Sequence, residues 1–196
     1  MPTNANVLKE ELRRRNLEML GAFVPVDFSN PDAHATGAEI AVRIAKLLAA
    51  VGKAPLIVLA DENGKNPIRT QNAGRVRSEQ DLSDEQWALF AAGVEHVARS
   101  VCEATGLWCV FHHHCSGFVE TPAEIEKLLA LTGPELVGLC FDTGHYALGE
   151  GRLSRAFANT PAASGIFTSK ITNRISPGRL AKMNGIISHR SSACGL

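Results

Sequence analysis

The sequence predicts an α/β fold built on a parallel sheet, on three observations. Short, nearly continuous apolar runs alternate with amphipathic helical stretches, and each helix precedes a strand. No glycine-rich phosphate fingerprint follows any of those strands. Apolar strands flanked by helices are covered on their faces, and without the fingerprint a dinucleotide-binding fold recedes. A barrel, or part of one, remains in front.

The elements follow in order. Residues 6 to 16 read as a helix, with Val7, Leu8 and Leu12 apolar among charges, and residues 17 to 28 contain the strand Met19-Leu-Gly-Ala-Phe-Val-Pro-Val. In residues 38 to 51 Ile40, Ile44, Leu47, Leu48 and Val51 recur at helical spacing, and Gly52 stops that helix before Pro55-Leu-Ile-Val-Leu-Ala. Residues 61 to 82 form a long polar connection after a strand, as active-site loops often do. Ser83-Asp-Glu-Gln86 is a capping box that opens a helix with Trp87, Phe90, Val94, Val97 and Val101 inward and Gly106 at its end. The strand Leu107-Trp-Cys-Val-Phe comes next. A second capping box, Thr121-Pro-Ala-Glu124, opens the helix that Gly133 ends before Val137-Gly-Leu-Cys-Phe. Four helix-then-strand units are visible.

Composition narrows the class further. The chain has 196 residues and 45% hydrophobic residues, as in a globular domain with one sizeable core. It has no apolar run of membrane-spanning length, and its first residues lack the basic and apolar regions of a signal peptide. Those features predict a cytoplasmic protein with no membrane partner. Its five cysteines are odd in number and include no Cys-x-x-Cys pair, so reduced, buried thiols are expected. The net charge is zero, yet no acidic residue follows Glu150 while seven basic ones do. These show no lysine cluster and no aromatic stacking platform, so no nucleic-acid partner is expected.

Chemistry gathers at two strand ends. The strand ending at Phe111 runs into His112-His-His114, then a short loop, then Glu120; the next strand ends in Asp142-Thr-Gly-His145. Carboxyl ends of neighbouring parallel strands are where α/β proteins build sites. Alternation along an extended chain sends His112 and His114 to one side and His113 to the other, which makes His113 structural. A carboxylate closing an apolar strand, as Asp142 does, must be paired, hydrogen-bonded or bound to metal. Glu120 can equally be a solvated residue before a helix cap. A mixed oxygen and nitrogen shell suits Mn²⁺, Co²⁺, Fe²⁺ or Zn²⁺ rather than Ca²⁺.

The run from His112 to Glu126 and the segment Leu136-Val-Gly-Leu-Cys-Phe-Asp-Thr-Gly-His145 resemble the central motifs of the xylose-isomerase-like barrel family, its inosose dehydratase branch above all. The likeness extends over residues 2 to 150. It implies a partial (β/α)8 TIM barrel of four to five parallel strands with outer helices; where the likeness stops, an irregular C-terminal tail is expected. It also implies a divalent metal, Mn²⁺ or Co²⁺ ahead of Zn²⁺ or Fe²⁺, and a small sugar or inositol-derived substrate. Carried over, Asp142 resembles the metal aspartate and His145 the substrate-contacting, catalytic histidine. Glu120 resembles either the metal glutamate or a neighbouring catalytic acid, and His112 and His114 line the substrate side. The implied reaction is dehydration of a cyclic keto-polyol such as scyllo-inosose, in inositol catabolism; the alternative is a sugar isomerase or epimerase on the same scaffold. A DNA-repair endonuclease of the related barrels is disfavoured by the lack of a basic groove in residues 1 to 150.

The chain departs from the family in length, since such a barrel takes about 250 residues. Residues 1 to 150 are read as a partial barrel and 151 to 196 as a non-homologous basic tail, expected to be a frameshift product. Codons permitted for Ser164 to Ile171 can, in a shifted frame, spell Trp-His-Leu-His-Phe-Lys-Asp, and those for Met183 to Ser188 can spell Glu-Trp-Asp-Tyr-Phe, both of which resemble family motifs. On that reading two of the four implied metal ligands are missing, the chain is an inactive fragment, and uncovered strand edges favour self-association.

Overall fold

The computed structural model describes residues 2–149 and, for the backbone alone, residues 166–168. Its elements are α1 (Ala5–Arg14), β1 (Gly21–Val26), α2 (Asp32–Ala49), β2 (Leu56–Asp61), α3 (Pro67–Gln71), α4 (Asp84–Thr105), β3 (Cys109–His112), α5 (Pro122–Leu131), β4 (Val137–Asp142), α6 (Thr143–Leu148) and β5 (Ile166–Thr168). The strands form one parallel sheet in the order β1-β2-β3-β4-β5. Each neighbour in the sheet is therefore the next strand in sequence, the order of a barrel wall. Apart from β5, the basic tail lies outside the described residues.

Local chemistry explains the boundaries. In both capping boxes the reciprocal bonds are present: Ser83 with Gln86 for α4, and Thr121 with Glu124 for α5. Gly106 ends α4 in the left-handed conformation (φ 70°), where a glycine meets no Cβ penalty. Helix α2 starts six residues earlier than the apolar spacing indicates, because its first turns are exposed or half-buried and carry no apolar signal. Helix α3, inside the long polar connection of residues 61 to 82, is one short turn started by Asn66, whose side chain accepts the N–H groups of Ile68 and Arg69, with proline at its first position.

Alternation along the strands divides the residues between two faces. Val24 and Val26, Ile57 and Leu59, Cys109 and Phe111, and Val137, Leu139 and Phe141 pack into one core with α2 and α4. Trp87, Phe90, Val94, Val97 and Val101, the expected inner face of α4, are all fully buried there. Burial of such side chains is worth about 1.5–3 kcal/mol each. The alternate positions, among them Phe23, His112 and Asp142, face away from those helices, and Phe23 remains 53% exposed. Cys109, Cys115 and Cys140 are buried, as expected.

Candidate functional site

The end of β3 and the end of β4 lie side by side, with His112 in register beside Cys140. Beyond them the chain turns into a histidine loop on one side and α6 on the other. Asp142 caps α6: its Oδ1 accepts the N–H of Gly144 at 2.8 Å and of His145 at 2.9 Å. That cap turns the chain back within one helical turn and brings His145 over the strand end. One ligand atom each from His112, Asp142 and His145 then falls within 4.8 Å of the others.

The rings around this group are ordered by their neighbours. His112 stacks on His114 (centroids 5.5 Å apart, planes 23° apart) and meets His145 edge-on at 5.6 Å. Phe23 of β1 closes the side of His112 at 6.0 Å. The Nε2 of His114 lies 3.1 Å from the carbonyl of Asp61, which requires a proton on that nitrogen and leaves it engaged. His113 points the other way, fully buried against Phe141 and Tyr146, and its Nε2 accepts the backbone N–H of Asp142 at 3.0 Å.

The electrostatics suit a cation. Burial, with the neighbouring imidazoles His114 and His145, holds His112 below the usual histidine range, so it is neutral and able to donate a lone pair near neutral pH. Burial acts to raise Asp142, but the N–H donors of His145 and Gly144 and the adjacent imidazoles outweigh it and hold the carboxyl low. The His112 imidazole and the ionised Asp142 carboxylate are donors that fit a divalent first-row ion with further positions open, and the His145 imidazole lies beside them as a further ligand or a base.

Glu120 stands outside this group. It is fully buried; Oε1 accepts the N–H of Gly74 at 2.6 Å and Oε2 the N–H of Ser116 at 2.9 Å. Three buried ionisable residues to which sequence reasoning gave no role in a site lie nearby. Arg69 and Glu124 pair in a bidentate contact with neither accessible to solvent by more than 4% of its side chain. Asp61, at the end of β2, accepts the N–H of Phe28 and of Phe118, and burial pushes its carboxyl up to about 7. A cavity of about 220 Å³ opens beside it, lined by Asp27, Glu62, Lys65 and Gly117 among others; none of His112, Asp142 and His145 lines it.

The family described as Xylose isomerase-like TIM barrel matches residues 1–175 of this sequence. The chain belongs to that family. Among its curated members it is similar to the inosose dehydratase of Bacillus cereus (strain AH820), 33% identical over 144 residues, and to that of Bacillus anthracis, 32% identical over 144 residues. Each match covers 74% of this chain and 47% of the relative, so the chain spans about half the length of the curated relatives it matches. Solved structures of the same barrel superpose on it. A sugar phosphate isomerase/epimerase from Parabacteroides distasonis does so with a TM-score of 0.59 at 12% identity, over 93% of this chain and 64% of that one. The 3-keto-D-glucoside 4-epimerase of E. coli gives 0.60 at 15% identity, over 95% and 73%. Those structures therefore share this chain's fold, and among the described residues no helix is long and apolar enough to cross a membrane.

Proposed function

We propose that this chain carries the metal and proton-transfer corner of a dehydratase acting on a cyclic keto-polyol of the inosose type. The convergence of His112, Asp142 and His145 within 4.8 Å carries the reading. Asp142 and His112 would hold a divalent ion, and the ion, when bound, would supply Lewis acidity at the substrate's ketone oxygen. His145 is placed beside both and takes the proton from the carbon next to that ketone. The same imidazolium returns the proton to the β-hydroxyl as it leaves, so that water departs and atoms balance. His114, stacked on His112, would line the substrate side of the pocket. Glu120, which the resemblance places at the metal or in proton transfer, is read here as a loop-ordering carboxylate because both its oxygens already accept backbone N–H groups.

The similarity to inosose dehydratases supports this substrate class, and because the chain spans about half their length the activity is proposed for a full-length barrel. The test is an assay of scyllo-inosose consumption by a full-length form with the reading frame after residue 151 restored, with and without Mn²⁺ or Co²⁺. Metal-dependent loss of water from the inosose is expected. Turnover of open-chain ketoses alone would reassign the site to a sugar isomerase, and metal-independent activity would remove the reading.

A further inference from the structure

The loop from Cys115 to Glu120 follows directly on His114 and holds an unfavourable backbone. Ser116 (φ 80°) and Val119 (φ 65°) are two of the three non-glycine residues with positive φ among the described residues, and Val119 is β-branched. No strand or helix contains this loop, so its conformation is imposed from outside. The carbonyl of Cys115 accepts Nδ2 of Asn63 at 3.0 Å, and the N–H of Phe118 donates to Asp61 at 3.0 Å. The carbonyl of Gly117 accepts Nε of Arg69 at 2.9 Å, and the N–H of Glu120 donates to Glu124 at 2.8 Å. A Cβ on Gly117 would stand 3.0 Å from Asp61 Oδ2, so the approach is as close as glycine permits.

Arg69 and Glu124 connect these holds. The guanidinium is fully buried 5.0 Å over the Phe118 ring, and its forked contact with Glu124 joins α3 to the start of α5 across the loop. From the loop the arrangement passes directly to the site. His114 stacks on His112, and Cys115 Sγ donates to the backbone carbonyl of His145 at 3.7 Å.

We propose that Arg69 and Glu124 are positioning residues for the candidate site, clamping the strained loop so that His114 and His145 keep their places beside His112 and Asp142. The inference rests on the reading of that group as the reactive centre, yet its test needs no metal. Amide hydrogen exchange and histidine ring resonances of the full chain are compared in the wild type, R69M, R69K and the double variant R69M/E124Q. The double variant removes both charges together and decides the matter where R69M, with Glu124 left unpaired, does not fold.

The clamp requires exchange at Phe118 and Glu120 to quicken by at least roughly tenfold in the double variant, with the ring signals of His114 and His145 shifted and the protection of β1 to β4 kept. R69K, which keeps the charge and loses the Nε bond to Gly117, should fold and still release Phe118. Unchanged loop exchange and ring signals, protection lost evenly across the sheet, or failure of the double variant to fold would overturn the proposal. A wild-type chain that ignores Co²⁺ would instead count against the metal reading, and the loop measurement would stand.

Discussion

The backbone N–H of Asp142 donates to Nε2 of His113 at 3.0 Å, so the carboxylate that faces the site is steadied by the histidine that faces away from it. Replacement of His113 by Leu leaves that N–H without its partner and should cost about 1–3 kcal/mol in urea-unfolding free energy. Because the bond orients a proposed ligand from behind, metal affinity should fall by about 10- to 100-fold. Titration of the variant with Co²⁺ checks it; unchanged affinity would confine His113 to the core.

His113 also gives acid sensitivity a sign. Burial lowers its pKa to about 3 in the fold, against about 6.5 when exposed, so the protein binds that proton less readily than the unfolded chain does. The stability this provides is fully present above about pH 6.5 and is lost progressively as pH falls towards 3. The H113L variant should show a flatter decline over that window than the wild type.

Asp61 works in the opposite direction. Its folded pKa of about 7 lies above the ordinary carboxylate value, so its contribution is fully present below about pH 4 and is lost as pH rises through 7. The difference in unfolding free energy between wild type and D61N should therefore shift steadily against the wild type from pH 5 to pH 7.5. A difference that stays constant with pH would show that Asp61 is ionised throughout.

Much of the fold is legible in residue spacing, and the reasons for the gaps are physical. The two capping boxes and Gly106 are local signals, and the structure has each where its residues indicate. The start of α2 is hidden because a solvent-facing turn has no apolar period to read. Helix α6 is hidden because Asp142, read as the end of a strand, is at the same time a helix cap. The Arg69–Glu124 pair joins positions 55 apart, and no local pattern announces such a contact. His112 and His145, named from strand ends and resemblance, do come together with Asp142. For Glu120 the resemblance supplies a chemical role while the structure surrounds its carboxylate with backbone N–H groups, a competition that sequence spacing does not express.

That competition can be measured. In E120Q one acceptor oxygen becomes a donor facing a backbone N–H, which should destabilise the loop by about 1–3 kcal/mol. Co²⁺ affinity should stay within about threefold of wild type, since a carboxylate outside the donor set contributes little to it. A loss on the order of a hundredfold would return Glu120 to the metal.

The tail carries its own test, in the gene. We propose that residues 151 to 196 are read out of frame, and the codons for Ser164 to Ile171 and Met183 to Ser188 should then spell the two shifted motifs one frame away. Codons that forbid either spelling refute the frameshift.

Whether Asp142 and His112 hold a divalent ion is decided by a Co²⁺ titration of the purified chain followed by visible absorption, in wild type, D142N and H112A. A saturable d–d spectrum is expected in the wild type, and either substitution should abolish it while circular dichroism stays unchanged. An identical spectrum in all three proteins, or none in the wild type, would contradict the metal reading.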